Sequence, residues 1–319
     1  MTLPTLVISL ALLLALVAGL ALTTSAVATR RERAAEAAAG PLGQFVMVDG
    51  IRVHALVKGA GPDLVLLHGA SGTLRDFLPL IDLLAPQYRV AAFDRPGLGW
   101  ADASRHGLTL AGHSRILSRA ACVLGVTNPI LLGQSYGGAV AMAWTLTGDL
   151  APSALVLVSA PVMPWTGKLD IWYRANESRL GQALAVPLAA AFVPGSHVAS
   201  IQKDVFQPDP EPQRYGVMIG VRLALRRVSL RANAAQINAL HADLTALFPR
   251  YGDLTLPVEL IHGDADHIVP VSVHAQPLSA LLPHAILTVL PGTGHMPHHS
   301  HPNVVLVAIA RAAERARLR

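Results

Sequence analysis

The sequence predicts an α/β fold in which a mostly parallel sheet is covered by helices on both faces. Three observations predict it. Short apolar runs recur at Leu64–Leu67, Arg89–Phe93, Pro129–Leu132 and Ala154–Val158, as strands buried on both faces should be. Stretches of helical character separate them, over Leu74–Leu84, Leu108–Leu124 and Ala139–Trp144, and this alternation is the pattern of a parallel sheet. Glycine-containing loops follow several strand ends, where open α/β sheets place ligand-binding backbone.

Composition bounds the class. A chain of 319 residues holds one large α/β domain with room for an inserted subdomain. Hydrophobic residues make up 52% and charged residues 14%, a low charge fraction for a soluble enzyme. The formal charge is +5, but no basic patch is interleaved with aromatics, which argues against nucleic acid as a partner. The basic excess suits an anionic membrane surface better. Cys122 is the only cysteine, so there is no intrachain disulfide and no thiol pair for a metal; it is expected to pack within its helix.

Leu3 to Leu22 is almost wholly apolar and uncharged, long enough to span a bilayer core. A signal peptide would carry a basic segment first and a shorter apolar run, although Ala26-Val27-Ala28 offers a small-residue cleavage site. Residues 1–28 are therefore read as a single-pass membrane anchor, with export after cleavage behind Ala28 as the alternative. Arg30, Arg31 and Arg33 follow the span and favour a cytoplasmic position for the rest of the chain. Residues 29–43, rich in Ala and Gly from Ala34 onward, are expected to be a linker, and residues 44–319 the α/β domain.

The domain opens with Phe45–Val48 and Ile51–Leu56, joined by Asp49-Gly50, a strong hairpin turn signal. The strand Leu64–Leu67 leads into His68-Gly69-Ala70-Ser71-Gly72, and Arg89–Phe93 into Asp94-Arg95-Pro96-Gly97-Leu98-Gly99. Between the strand at Pro129–Leu132 and the helix from Ala139 lies Gly133-Gln134-Ser135-Tyr136-Gly137-Gly138. A serine on so sharp a turn takes strained backbone angles and projects its hydroxyl from the top of the sheet. Small neighbours let the turn close, and the following helix points free N–H groups at any oxyanion nearby. Gly-x-Ser-x-Gly alone is weak, with about 0.1 chance occurrences in a chain this long. The strand-turn-helix setting is what gives it weight.

The chain resembles the α/β-hydrolase superfamily, in its esterase, lipase and C–C hydrolase branch. The resemblance covers about residue 44 to the C-terminus. It rests on His68-Gly69, Asp94 to Gly99, Gly133 to Gly137, Gly263 to Pro270 and Gly294-His295, in family order. Members often carry Ser where this chain has Ala101, so the Asp94 loop matches in part. The resemblance implies an eight-stranded sheet. It also implies that Pro161–Leu254, which breaks the strand rhythm and is helical in character, forms a cap over the site (about 162–254). Arg222, Arg226, Arg227 and Arg231 recur there at helical spacing and read as a solvated face, with a basic face that docks on anionic lipid or an anionic substrate as the alternative.

A serine hydroxyl needs a base within reach, and the base needs an acid to hold its tautomer. In this fold their order is Ser, Asp or Glu, His. Asp264 and Asp266 lie two residues apart and pattern alone does not choose between them. The resemblance assigns the acid to Asp266, the base to His295 and the nucleophile to Ser135. It implies an oxyanion hole from the backbone N–H groups of Ala70 and Tyr136. His298, His299 and His301 crowd His295, but no Cys or carboxylate lies near them in sequence, so no metal and no cofactor is expected.

The function expected is a serine hydrolase cleaving an ester or related acyl bond of a small, apolar substrate through an acyl-enzyme. C–C bond hydrolysis, acyl transfer and perhydrolysis use the same three residues. A serine rather than a carboxylate nucleophile argues against dehalogenase and epoxide hydrolase chemistry. A binding module of the same fold would be expected to have lost one of the three.

Overall fold

The computed structural model describes residues 3–318 other than 168 and 177. Its strands are β1 (Gln44–Val48), β2 (Ile51–Lys58), β3 (Asp63–Leu67), β4 (Arg89–Phe93), β5 (Ile130–Gln134), β6 (Ala154–Val158), β7 (Val258–Gly263) and β8 (Ile286–Leu290). They form one sheet in the order β1-β2-β4-β3-β5-β6-β7-β8, antiparallel at β1-β2 and β2-β4 and parallel elsewhere. The β1-β2 hairpin turns at Asp49-Gly50, both at positive φ, as a tight two-residue turn requires.

The helices are α1 (Leu3–Ala38), α2 (Leu78–Leu84), α3 (Leu110–Val123), α4 (Tyr136–Thr147), α5 (Ile171–Ala175), α6 (Arg179–Phe192), α7 (Gly195–Phe206), α8 (Tyr215–Met218), α9 (Arg227–Leu247), α10 (Ala275–Leu281), α11 (Pro297–Ser300) and α12 (Pro302–Arg315). The apolar strands are buried on both faces because alternate side chains serve different layers. Val65 and Leu67 of β3, Leu131 of β5 and Leu155 and Leu157 of β6 pack with α3 and α4. Leu64, Leu66, Ile130, Leu132, Ala154 and Val156 pack with α2 and α12 on the other side. Full burial of such a side chain stabilises by about 1.5–3 kcal/mol.

The strand order places the site. From β3 the chain crosses to β4 on one side, then returns to β5 on the other. The carboxyl ends of β3 and β5 thus flank the point where strand order reverses, the crevice in which open α/β sheets bind ligands. Between β6 and β7 the chain forms α5 to α9, with no strand among the described residues. Leu240, Leu244 and Leu247 of α9 pack against the main core.

Three expectations are corrected. Residues 29–38, expected as linker, continue α1 without a break. They pack on the inserted helices: Ala28 is wholly buried with Ala190 and Ala191, and Ala35 with Leu223. Glu32 pairs with Arg227 at 2.7 Å and Glu36 with Arg226 at 3.0 Å. Two of the four arginines read as a solvated face are therefore the partners of α1. Arg226 is 92% buried and also donates to the carbonyl of Gly99. Cys122, expected to pack inside its helix, is exposed.

The basic end of α12 does more than complement its own dipole. Arg311 (2.9 Å) and Arg315 (2.8 Å) hold Glu259, a carboxylate wholly buried in β7, and so tie this helix to the sheet.

Candidate active site

Ser135 stands between β5 and α4 with φ 50° and ψ −127°. For a non-glycine residue this costs on the order of 1–3 kcal/mol and persists only where the surroundings enforce it. They do: a Cβ on Gly137 would overlap the carbonyls of Leu67 and His68, and one on Gly133 would overlap the backbone of Gly137 and Gly138. Ser135 N donates to Val158 O (2.9 Å), and Gly138 N to Ser135 O (2.8 Å). The serine is partly exposed in otherwise buried surroundings. Tyr136 begins α4, where backbone N–H groups have no partner within the helix. Its side chain is buried.

His68-Gly69-Ala70 leaves the end of β3 directly beside the elbow. A Cβ on Gly69 would come within 3.1 Å of Ser135 Cβ and would displace the end of the Gln134 side chain, so the loop packs closely against the elbow. Ala70 follows, half-buried. The loop is pinned from above by Asn233 of α9, whose Oδ1 accepts from Ser71 N at 2.8 Å. It is pinned from the side by Asp94, whose carboxylate accepts from Leu74 N and Trp100 N, both 2.7 Å, and lies 2.6 Å from His54 Nδ1.

The loops after β7 and β8 bring Asp266 and His295 together, with His295 Nδ1 2.7 Å from Asp266 Oδ2. The other carboxylate oxygen accepts from the amides of Ile268 (3.0 Å) and Val269 (2.9 Å). His262 Nε2 lies 3.3 Å from Asp266 and 2.6 Å from Val269 O. Burial pushes the Asp266 carboxyl up, but the hydrogen bonds from His262 and His295 outweigh it and hold it well below the usual carboxylate range. Asp266 is therefore an anion facing the imidazole. Asp264 is exposed and accepts instead from Gly292 N at 2.7 Å. The serine and histidine loops also touch: Gln134 Nε2 donates to the His295 carbonyl at 3.4 Å.

His298 and His299 do meet a carboxylate. Asp76 lies 3.2 Å from His298 Nε2 and 2.9 Å from His299 Nε2, and accepts from Tyr215 Oη at 2.7 Å. Asp76, His298 and His299 are the one group of three that could hold a metal ion among the described residues. In the structure they form a hydrogen-bonded cluster joining the β3 loop, the inserted helices and the histidine loop. Burial pushes His298 down to about 4, so it is neutral at pH 7. Neither this cluster nor the contact of His262 with Asp266 was read from the sequence. Asp76 is 222 positions from His298, and His262 carries no signal beyond its place at a strand end.

Comparison with known proteins agrees with this architecture. A model described as "Alpha/beta hydrolase family" matches residues 64–309. A pimeloyl-[acyl-carrier protein] methyl ester esterase from Xanthomonas axonopodis pv. citri is 27% identical over 277 residues, covering 81% of this chain and 98% of its own. Among solved structures, the esterase RhEst1 from Rhodococcus sp. ECU1013 is 26% identical with a TM-score of 0.63, over 84% of this chain and 97% of that one. A bacterial membrane phospholipase A is 23% identical with a TM-score of 0.65 and covers 99% of both chains, so the likeness in fold includes the N-terminal helix.

Proposed function

The chain belongs to the alpha/beta hydrolase family, and from that premise we propose that it is a serine hydrolase acting on an ester or related acyl bond. The observation that carries the reading is the buried Asp266–His295 pair at the same end of the sheet as the strained Ser135. Ser135 Oγ attacks the acyl carbonyl and its proton passes to His295 Nε2. The tetrahedral oxyanion accepts from the N–H groups of Ala70 and Tyr136. Loss of one such donor costs about 2.7–4 kcal/mol of transition-state stabilisation. Collapse expels the alcohol, which takes the proton from His295. Water, deprotonated by the same imidazole, then releases the acid and frees Ser135. Asp266 stays ionised throughout, holding the tautomer and stabilising the imidazolium.

The exposed surface bears on the substrate class. Ile171, Leu180, Leu184, Leu188, Phe192 and Ile201 of α5, α6 and α7 are exposed, which supports an apolar acyl chain. α1 is long and apolar enough to cross a membrane. Its far half is built into the inserted helices, and this supports a retained single-pass anchor that keeps the site near the membrane. Arg30, Arg31 and Arg33 favour the cytoplasmic side. The reading is tested with p-nitrophenyl esters of rising acyl length on the full chain in detergent. Turnover that rises with chain length supports it, and no turnover of any ester removes it. The full chain is used because residues 27–38 pack against the inserted helices.

A further inference from the structure

Arg95 is wholly buried, and no carboxylate lies within ion-pair distance of it among the described residues. Its neighbour Asp94 is committed to Leu74, Trp100 and His54. Isolated buried charge is expensive, so the contacts of this one need a reason. Arg95 Nε donates to His68 O at 3.0 Å and Nη2 to Gly69 O at 2.9 Å. Nη1 donates to Gln236 Oε1 at 2.7 Å. The guanidinium lies over the Tyr136 ring, 4.2 Å from its centroid. One planar group thus touches the residues adjoining or carrying both proposed oxyanion donors.

The Gly69 carbonyl is the far end of the Gly69–Ala70 peptide. A trans peptide is planar, with its C=O and N–H pointing in opposite directions. Fixing the Gly69 oxygen therefore fixes the direction of the Ala70 N–H. Arg95 is joined by His68. Its Nε2 accepts from Arg95 N at 3.0 Å, so the ring proton sits on Nδ1, which donates to the same Gly69 oxygen at 2.9 Å. Burial, then the Arg95 charge, pushes His68 down to about 4, which keeps this neutral tautomer at pH 7. A cationic donor on the carbonyl also polarises the peptide and makes its N–H a better donor. Burial lowers Arg95 itself only to about 10, so it keeps its charge.

The geometry points to Arg95 as a positioning residue for the acyl transfer proposed above: it clamps the Gly69 carbonyl so that the Ala70 N–H faces the forming oxyanion. Two successive carbonyls need the guanidinium fork. An ammonium at this place keeps the charge and its three donors but lacks the planar fork that fixes the two carbonyls and Gln236 in one geometry.

The test uses the full chain in detergent, with Arg95→Lys and Arg95→Met, and p-nitrophenyl butyrate as substrate. An alkyl trifluoromethyl ketone, which adds to serine to form an oxyanion, is compared with its unreactive alcohol. Arg95→Lys is expected to fold, to lose about 10- to 100-fold in kcat with KM within threefold, and to lose trifluoromethyl ketone affinity by the same factor. Alcohol affinity should be unchanged. Arg95→Met, where it folds, should lose more. If the folded variants keep kcat and ketone affinity within threefold of the parent, or lose activity only in step with melting temperature while ketone affinity holds, the clamp is refuted. Ser135→Ala in the same assay separates the two readings: activity persisting there removes the serine mechanism itself, whatever Arg95 does.

Discussion

Asp266 reaches His295 at 2.7 Å, whereas Asp264, two residues earlier, points to the exposed amide of Gly292. The same loop thus gives its two carboxylates different work. Asp266→Asn is expected to leave the fold intact, because the amide oxygen can still accept from Ile268 and Val269. It presents the wrong partner to His295, and comparable losses elsewhere cost about 10⁴ in kcat. Asp264→Asn should cost less than about tenfold. Steady-state kinetics and melting curves of both variants check this; a dead but folded Asp264→Asn would reverse the assignment.

Acid should destabilise the protein well above the carboxylate range. Burial pushes His68, His274 and His298 down to about 4 and His113 to about 3. In the unfolded chain each would titrate near 6.5. The folded values are the lower ones, so the stability they confer is fully present above pH 6.5 and is lost as pH falls toward 4. Each proton taken up only by the unfolded chain contributes a slope of about 1.4 kcal/mol per pH unit. Asp76 and Asp266, held below their ordinary range, extend the loss below pH 4. Melting temperatures between pH 8 and pH 4.5 should fall steadily below 6.5. A flat or rising profile would show that these histidines are not held neutral.

The N-terminal helix should behave as part of the enzyme as well as an anchor. Arg31 donates to the carbonyls of Ala191 and Val193, both 2.7 Å, and Ala28 is buried against α6. The full chain is expected to stay with membranes through high-salt and carbonate washes. A mature N-terminus at Thr29 would contradict it. Glu32→Ala, which strands Arg227, should lower the melting temperature, while Arg30→Ala at an exposed position should leave it unchanged.

Much of the fold was legible because its signals are local. Leu64–Leu67 and Ala154–Val158 are short apolar runs bounded by turn residues, the signature of buried strands, and Asp49-Gly50 marks its own hairpin. Ser135 was legible because its strained turn needs glycine at fixed neighbouring positions. What escaped depends on partners far along the chain. An Ala-rich stretch reads as linker, yet alanine is also the best helix former, and what holds it here are Arg226 and Arg227, about 190 residues later. The same distance hid the role of those arginines. Asp76 beside His298 and His299, and His262 beside Asp266, are meetings of separate loops that no spacing encodes. The choice of Asp266 over Asp264 came from resemblance, since their two-residue separation puts both on one face of an extended segment.

The most direct measurement is labelling of Ser135. A fluorophosphonate probe needs an activated serine and an oxyanion site at once. The full chain in detergent should be labelled on Ser135, as read by peptide mapping, and Ser135→Ala should lose both labelling and ester turnover. Persistent labelling and turnover in a folded Ser135→Ala protein would contradict the serine mechanism.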